Sequence, residues 1–179
     1  ESIEAGNYLA HHEFNTFMHG TAEIRGEFVL TTHRPIEVEG TLPNQVVLLE
    51  THGDHFHEEQ TFETQCPELH GSFQNEDFIA FACDDGIMTV EQAGATFSSS
   101  KIAYPDDVPE AKRIWTIKGS EHSATFLGLT PRGIFVIDPV AQAISRLERP
   151  EAENTYFPRY GFDAHSEHLL LLDQSGALN

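Results

Sequence analysis

One pattern recurs along this chain at a near-constant step, and that recurrence limits the folds open to it. A β-rich run, a tight turn and a second run appear as "DFIAFACDDGIMTV" (77–90), "ATFLGLTPRGIFVID" (124–138) and "EHLLLLDQSGALN" (167–179). Their turn glycines, Gly86, Gly133 and Gly176, are 47 and 43 residues apart. A looser copy, "EFVLTTHRPIEVEGTLPNQVVLLE" (27–50), makes a longer excursion between its two runs. Each copy follows another strand candidate ending in a polar turn: "NTFMHGTAEIRGE", "PELHGSFQNED", "WTIKGSEHS" and "FPRYGFDAHSE". A fourth strand follows the first three, in "FHEEQTFE", "ATFSSSKIAY" and "AISRLER".

Four short strands per unit at a period of about 40–50 residues is the signature of β-propeller blades. The expected fold class is all-β, a β-propeller with about four blades in this chain. The blade-like units fall at 8–63, 64–105, 112–150 and 154–179 of one partial propeller domain, with "YPDDVPEAKR" (104–113) as a loop between blades. A blade cannot bury both faces alone, so the chain is expected to be part of a larger ring. A start without Met and a stop inside a hairpin-like "QSGALN" lead to the same expectation, a piece of a longer or processed protein without a signal peptide of its own. The competing architecture is a β-sandwich built from the same strands.

Composition narrows the partners. With 10 basic and 29 acidic residues the formal charge is −19. Such a surface repels phosphate backbones and anionic lipid, so nucleic acid is not an expected partner. It attracts cations or a basic protein. No run of 18 apolar residues occurs, so no membrane span is expected. Histidine is the outlier, with eleven in 179 residues, and imidazole is a common ligand for zinc and copper.

Three of the eleven lie in "ETHGDHFHEE" (50–59). Read as a hairpin, this stretch turns at Gly53-Asp54, with Gly at the first central position as a type II′ turn requires. His52 then faces His55, and Glu50 faces His57. Side chains alternate with period two, so Glu50, His52, His55 and His57 share one face. Opposed Cβ atoms lie about 4.5–5.5 Å apart, a spacing that suits a tetrahedral zinc shell. A three-ligand site completed by water or by a neighbouring blade's His fits equally well. Asp54, Glu58 or Glu59 would then accept from the imidazole N–H groups. The competing reading is a polar, exposed hairpin.

"FMHG" and "ELHG" place His19 and His70 at matching points of consecutive units, where Lys118 and Tyr160 correspond later. The first strand of a blade lines the central channel, so His19 and His70 could share an ion there. The alternative is a structural His-Gly device of the kind found in WD repeats. His11, His12, His33, His122, His165 and His168 carry no such pattern and are read as ordinary surface or turn residues. Cys66 is placed at the opening of the second unit's inner strand and Cys83 at the end of the next. A hairpin closing between Phe73 and Glu76 pairs residues whose numbers add to 149, which sets the two cysteines opposite each other. That predicts a disulfide and an oxidising compartment, against the alternative of two separate buried thiols. No nucleophile elbow, phosphate-cradling loop or H-E-x-x-H occurs, so no catalytic residue is assigned.

The run "ETHGDHFHEEQTFETQCPELHGSFQNEDFIAFACDDGIMTV", with the later "GIFVIDP", resembles the periplasmic zinc chaperones called AztD. The resemblance implies a periplasmic β-propeller that is not an enzyme. Such a protein binds Zn2+ and passes it to the solute-binding protein of a zinc ABC transporter. The rest of the same propeller would then be a further partner. On that reading neutral imidazoles capture the ion, Glu50 offsets part of its charge, and ligand exchange hands it on. Protons compete for imidazole, so binding should weaken as the pH falls through about 6.5. The alternative is a metal-dependent propeller hydrolase, akin to a lactonase, which needs an open coordination position for water.

Overall fold

The structure is a computed structural model that describes residues 6, 10–106, 114–130, 133–147, 159–163, 165, 168–173 and 175–179. Those residues form three four-stranded antiparallel sheets and one two-stranded sheet, and no helix. The first sheet is β1 (Ala22–Arg25), β2 (Phe28–His33), β3 (Gln45–His52) and β4 (His55–Thr61). The second is β5 (Ser72–Gln74), β6 (Phe78–Cys83), β7 (Gly86–Ala93) and β8 (Thr96–Ala103). The third is β9 (Thr116–Lys118), β10 (Phe126–Thr130), β11 (Gly133–Asp138) and β12 (Ala143–Arg146). The pair β13 (Arg159–Phe162) and β14 (Leu169–Leu172) follows, with a bridge from Leu172 to Leu178. Strand order matches sequence order in every sheet. Successive first strands β1, β5 and β9 adjoin one another. The chain is thus a run of up-and-down blades, the propeller-like all-β architecture the repeat predicts. Residues 107–113 of the expected inter-blade loop lie outside the described residues. No helix of the described residues is long and apolar enough to cross a membrane.

Alternation along β6 shows how the blades hold together. Ile79, Phe81 and Cys83 enter one core with Leu30, Val46, Leu48 and Phe62 of the first blade. Ala80 and Ala82 enter a second core with Ile114, Phe126 and Phe135 of the third. A central strand buried on both faces must be apolar throughout, and "FIAFAC" is. The small Ala side chains meet large Phe rings, which keeps the seam close-packed. Each fully buried Phe or Ile contributes about 1.5–3 kcal/mol, so the seams rather than the isolated blades carry stability.

Cys66 and Cys83 form a disulfide, with an S–S distance of 2.08 Å and Cα atoms 4.8 Å apart. Both are wholly buried in the first seam. Their route to each other differs from the sequence expectation. Cys66 does not open the inner strand, because β5 begins at Ser72. The pairs Ser72–Phe81 and Gln74–Ile79 add to 153 rather than 149. The two-residue turn is Glu76–Asp77, closed by the Asn75 N–H donating to the Phe78 carbonyl at 2.9 Å. The Asn75 side-chain oxygen accepts from the N–H groups of Asp77 and Phe78 at 3.1 and 2.7 Å. Asn thus starts this turn as an Asx cap instead of sitting inside it. The cysteines meet because the chain folds back at Pro67–Glu68, where Glu68 adopts a φ of 48°. The Asp84 N–H locks that bend by donating to the Pro67 carbonyl at 2.7 Å.

Candidate metal centre

The β3–β4 hairpin has the register read from the sequence: Glu50 opposite His57, and His52 opposite His55. Gly53 has a φ of 66°, and Asp54 is not among the residues with positive φ. A type I′ turn needs positive φ at both central positions, so this is the II′ form. Glu50, His52, His55 and His57 therefore project to one face. The His52 ring centroid lies 5.8 Å from that of His57 and 6.2 Å from that of His55.

A β-bulge alters who joins them. Leu49 pairs with Glu58 while Leu48 pairs with Gln60, which leaves Glu59 as the extra residue. A bulge re-aims the side chain of the unpaired residue. Glu59 Oε1 lies 2.8 Å from His57 Nδ1, and His52 Nε2 lies 2.8 Å from Glu50 Oε2. One donor atom each from Glu50, His52 and Glu59 falls within 4.8 Å of the others. Among the described residues this is the one such group of three His, Cys, Asp or Glu donors. Tetrahedral zinc with bonds of 2.0–2.1 Å needs donors about 3.4 Å apart. The His52–Glu50 contact is already tighter than that, and small rotamer changes of exposed side chains would close the rest. Sequence alternation alone puts Glu59 on the opposite face from Glu58 without fixing its reach. Alternation already gives Glu59 the face of His55 and His57, and the bulge frees it from a cross-strand partner.

The cluster is open to solvent. His52 and His57 side chains are 49% and 64% exposed, and Glu50 and Glu59 are 30% and 38% exposed. A metal held here would keep ligand positions within reach of another protein. At the tip, His55 Nδ1 lies 3.2 Å from Asp54 Oδ1. The hydrogen bond from His55 holds the Asp54 carboxyl below its ordinary range, helped by its own backbone and by the charges of His55 and His11.

His19 and His70 also come together, with ring centroids 5.3 Å apart. They are not strictly equivalent. The Thr32 N–H donates to Thr21 and the Ala82 N–H to Gly71, which sets Thr21 level with Gly71 and the two imidazoles one residue out of step. The later counterpart of His70 is Trp115 and not Lys118. Ser72 pairs with Phe81 and Ile117 with Gly128, so two residues back from each lie His70 and Trp115. Lys118 pairs with Leu127 inside β9–β10, and Tyr160 pairs with Leu171 inside β13–β14. The glycines have a steric cause of their own. A Cβ on Gly71 would stand 2.6 Å from the Trp115 carbonyl oxygen, and one on Gly20 would stand 2.6 Å from Thr32 Oγ1. Close approach therefore accounts for the Gly of each His-Gly pair and leaves the His unexplained.

Fold and site together define a class: a propeller-like segment whose first blade carries an exposed imidazole–carboxylate group with the donor spacing of a candidate metal site. No protein-family model matches the chain. Among solved structures it is similar to apo AztD from Citrobacter koseri, at a TM-score of 0.70 and 21% identity, over 90% of this chain and 42% of that one. It is similar to a second crystal structure of Citrobacter koseri AztD at a TM-score of 0.71, with the same identity and coverage. The likeness is one of fold, and this chain spans less than half the length of those proteins.

Proposed function

We propose that this chain is the zinc-binding part of a periplasmic metallochaperone that passes Zn2+ to the solute-binding protein of a zinc ABC transporter. The observation that carries the reading is the Glu50–His52–Glu59 group, with His57 bonded to Glu59, on an exposed hairpin. Mixed imidazole and carboxylate donors suit zinc. When bound, the ion would supply a positive charge to these donors, with His55 as a further ligand, and the His19–His70 pair, with rings 5.3 Å apart, would share a separate ion. Exposure leaves room for an incoming ligand from a partner, so transfer proceeds by exchange. The surface charge of −19 concentrates cations and steers a basic partner. The buried disulfide fits an oxidising compartment.

A metal-dependent hydrolase finds less support. Catalysis of that kind needs a pocket that seats a substrate beside the metal's open, water-bearing position, and the hairpin group lies on the exposed surface. A cavity of about 330 Å³ between the second and third blades has Glu91, Ser98 and Gln142 in its lining and no imidazole.

The test is zinc titration of the purified chain by calorimetry, followed by mixing the loaded protein with an apo zinc solute-binding protein. Transfer that survives a metal chelator supports the chaperone reading. Absence of zinc binding, or exchange only through free ion, rejects it.

A further inference from the structure

Residues 10–19 form a strap along the outside of the first blade. Phe14 stacks on His33 with centroids 5.2 Å apart, and His12 packs edge-on against Phe14 at 4.6 Å. The Thr16 hydroxyl donates to the Arg34 carbonyl, and Arg34 Nε donates to the Phe17 carbonyl at 3.0 Å. His33 belongs to the face turned away from the second blade, since its neighbour Thr32 alternates with Leu30 of the seam. At its outer end the strap reaches β4, where His11 makes an isolated parallel bridge with His55.

Bridged residues project their side chains to the same face. His11 therefore joins the face of His52, His55 and His57, while His12 points the other way, onto Phe14. The outcome is a row of imidazoles across three adjacent segments: His52 on β3, His55 on β4 and His11 on the strap. His11 and His55 are both exposed, so neither ring is committed to the core.

We propose that His11 is a further ligand of the hairpin's metal face, so that a divalent transition ion clips the strap to the outer edge of the first blade. The proposal rests on the reading of the hairpin as a metal site. It gives that site a consequence: metal loading orders the strap, and metal release frees it. A segment joined to a blade by a few surface contacts opens at low free-energy cost. An ion shared between segments is a cross-link that exists only in the loaded state. The clip also covers the unpaired edge of β4, which would otherwise be open to pairing with another strand.

The experiment measures zinc affinity by calorimetry, and hydrogen exchange at amides 10–16 and 50–59, on the full chain with and without zinc. In the unaltered protein zinc should slow exchange in both segments. His11→Ala should keep the slowing at 50–59, lose it at 10–16, and bind zinc about tenfold more weakly or worse, the range seen on losing even an outer-sphere partner. His12→Ala, facing Phe14, should keep the full zinc response. Slowing at 50–59 with equal protection of the strap in His11→Ala overturns the clip alone. Equal loss in both variants also overturns it, tracing the effect to strap packing. No zinc response at 50–59 in the unaltered protein overturns the clip and the hairpin site together.

Discussion

His70 and Trp115 stack across the seam between the second and third blades, with ring centroids 5.1 Å apart and planes at 28°. His19 continues the row at 5.3 Å from His70. Trp115 is the only tryptophan of the chain, so its emission reports on this row. If His19 and His70 hold an ion, zinc should change the Trp115 emission, and His70→Ala should abolish the change. An unaltered spectrum at saturating zinc places the metal elsewhere.

The hairpin group gives a second expectation. His52→Ala and Glu59→Gln should each weaken zinc binding by about tenfold or more, as losses around metal sites do. Competition against a chromogenic chelator measures this. Full affinity in Glu59→Gln would show that the Glu59 carboxylate has no part in binding.

Gly53 holds the hairpin closed with a φ of 66°. A side chain there is strained even though no atom lies within 4 Å of the added Cβ. Gly53→Ala should destabilise the turn by about 1–2 kcal/mol and loosen the pairing of His52 with His55. Urea unfolding reads the first effect and zinc affinity the second. Loss of stability with intact affinity would separate turn geometry from metal binding.

The Cys66–Cys83 disulfide closes a separation of 17 residues. A loop of that size is worth about 3 kcal/mol in the chain-entropy account. The double substitution to Ala should cost at least that much in denaturant unfolding, because both sulfurs also fill the first seam. A midpoint unchanged by reductant would mean that the seam holds without the bond.

Glu23 predicts a pH effect. Burial pushes its carboxyl above the ordinary glutamate range, against the hydrogen bond from Ser72 and the charges of Arg25 and Lys118. The folded state thus holds this proton more tightly than the unfolded one. Its contribution is favourable at low pH and declines as the pH rises from the ordinary glutamate value through the raised one. Glu23→Gln should flatten that decline and be neutral to slightly stabilising at pH 7. Water screens a half-buried carboxylate, so the gain is small. Thermal unfolding between pH 4 and 8 checks the slope, and a steeper decline in the variant would contradict it.

Local rules carry some of these features and not others. Period-two alternation and the Gly53-Asp54 turn sufficed for the partners Glu50–His57 and His52–His55, because a two-residue hairpin fixes register within its own few residues. The same reasoning misplaced the turn of the second blade's inner hairpin. There Asn75 caps the turn instead of occupying it, and nothing within "FQNED" distinguishes the two. His19 and His70 appeared equivalent by motif, and ladder bonds at Thr21 and Gly71 offset them by one residue.

What the amino-acid sequence determined on its own is the repeated blade, its apolar alternation and the histidine face of one hairpin. All of these are set by contacts between residues near each other along the chain. The tertiary structure alone decided that β4 bulges at Glu59, that Trp115 rather than Lys118 sits beside His70, and that His11 arrives at His55 from the strap. Each of these depends on register or on packing between segments. A shift of one residue turns a side chain to the other face, and no local pattern records which register the neighbouring strand selects.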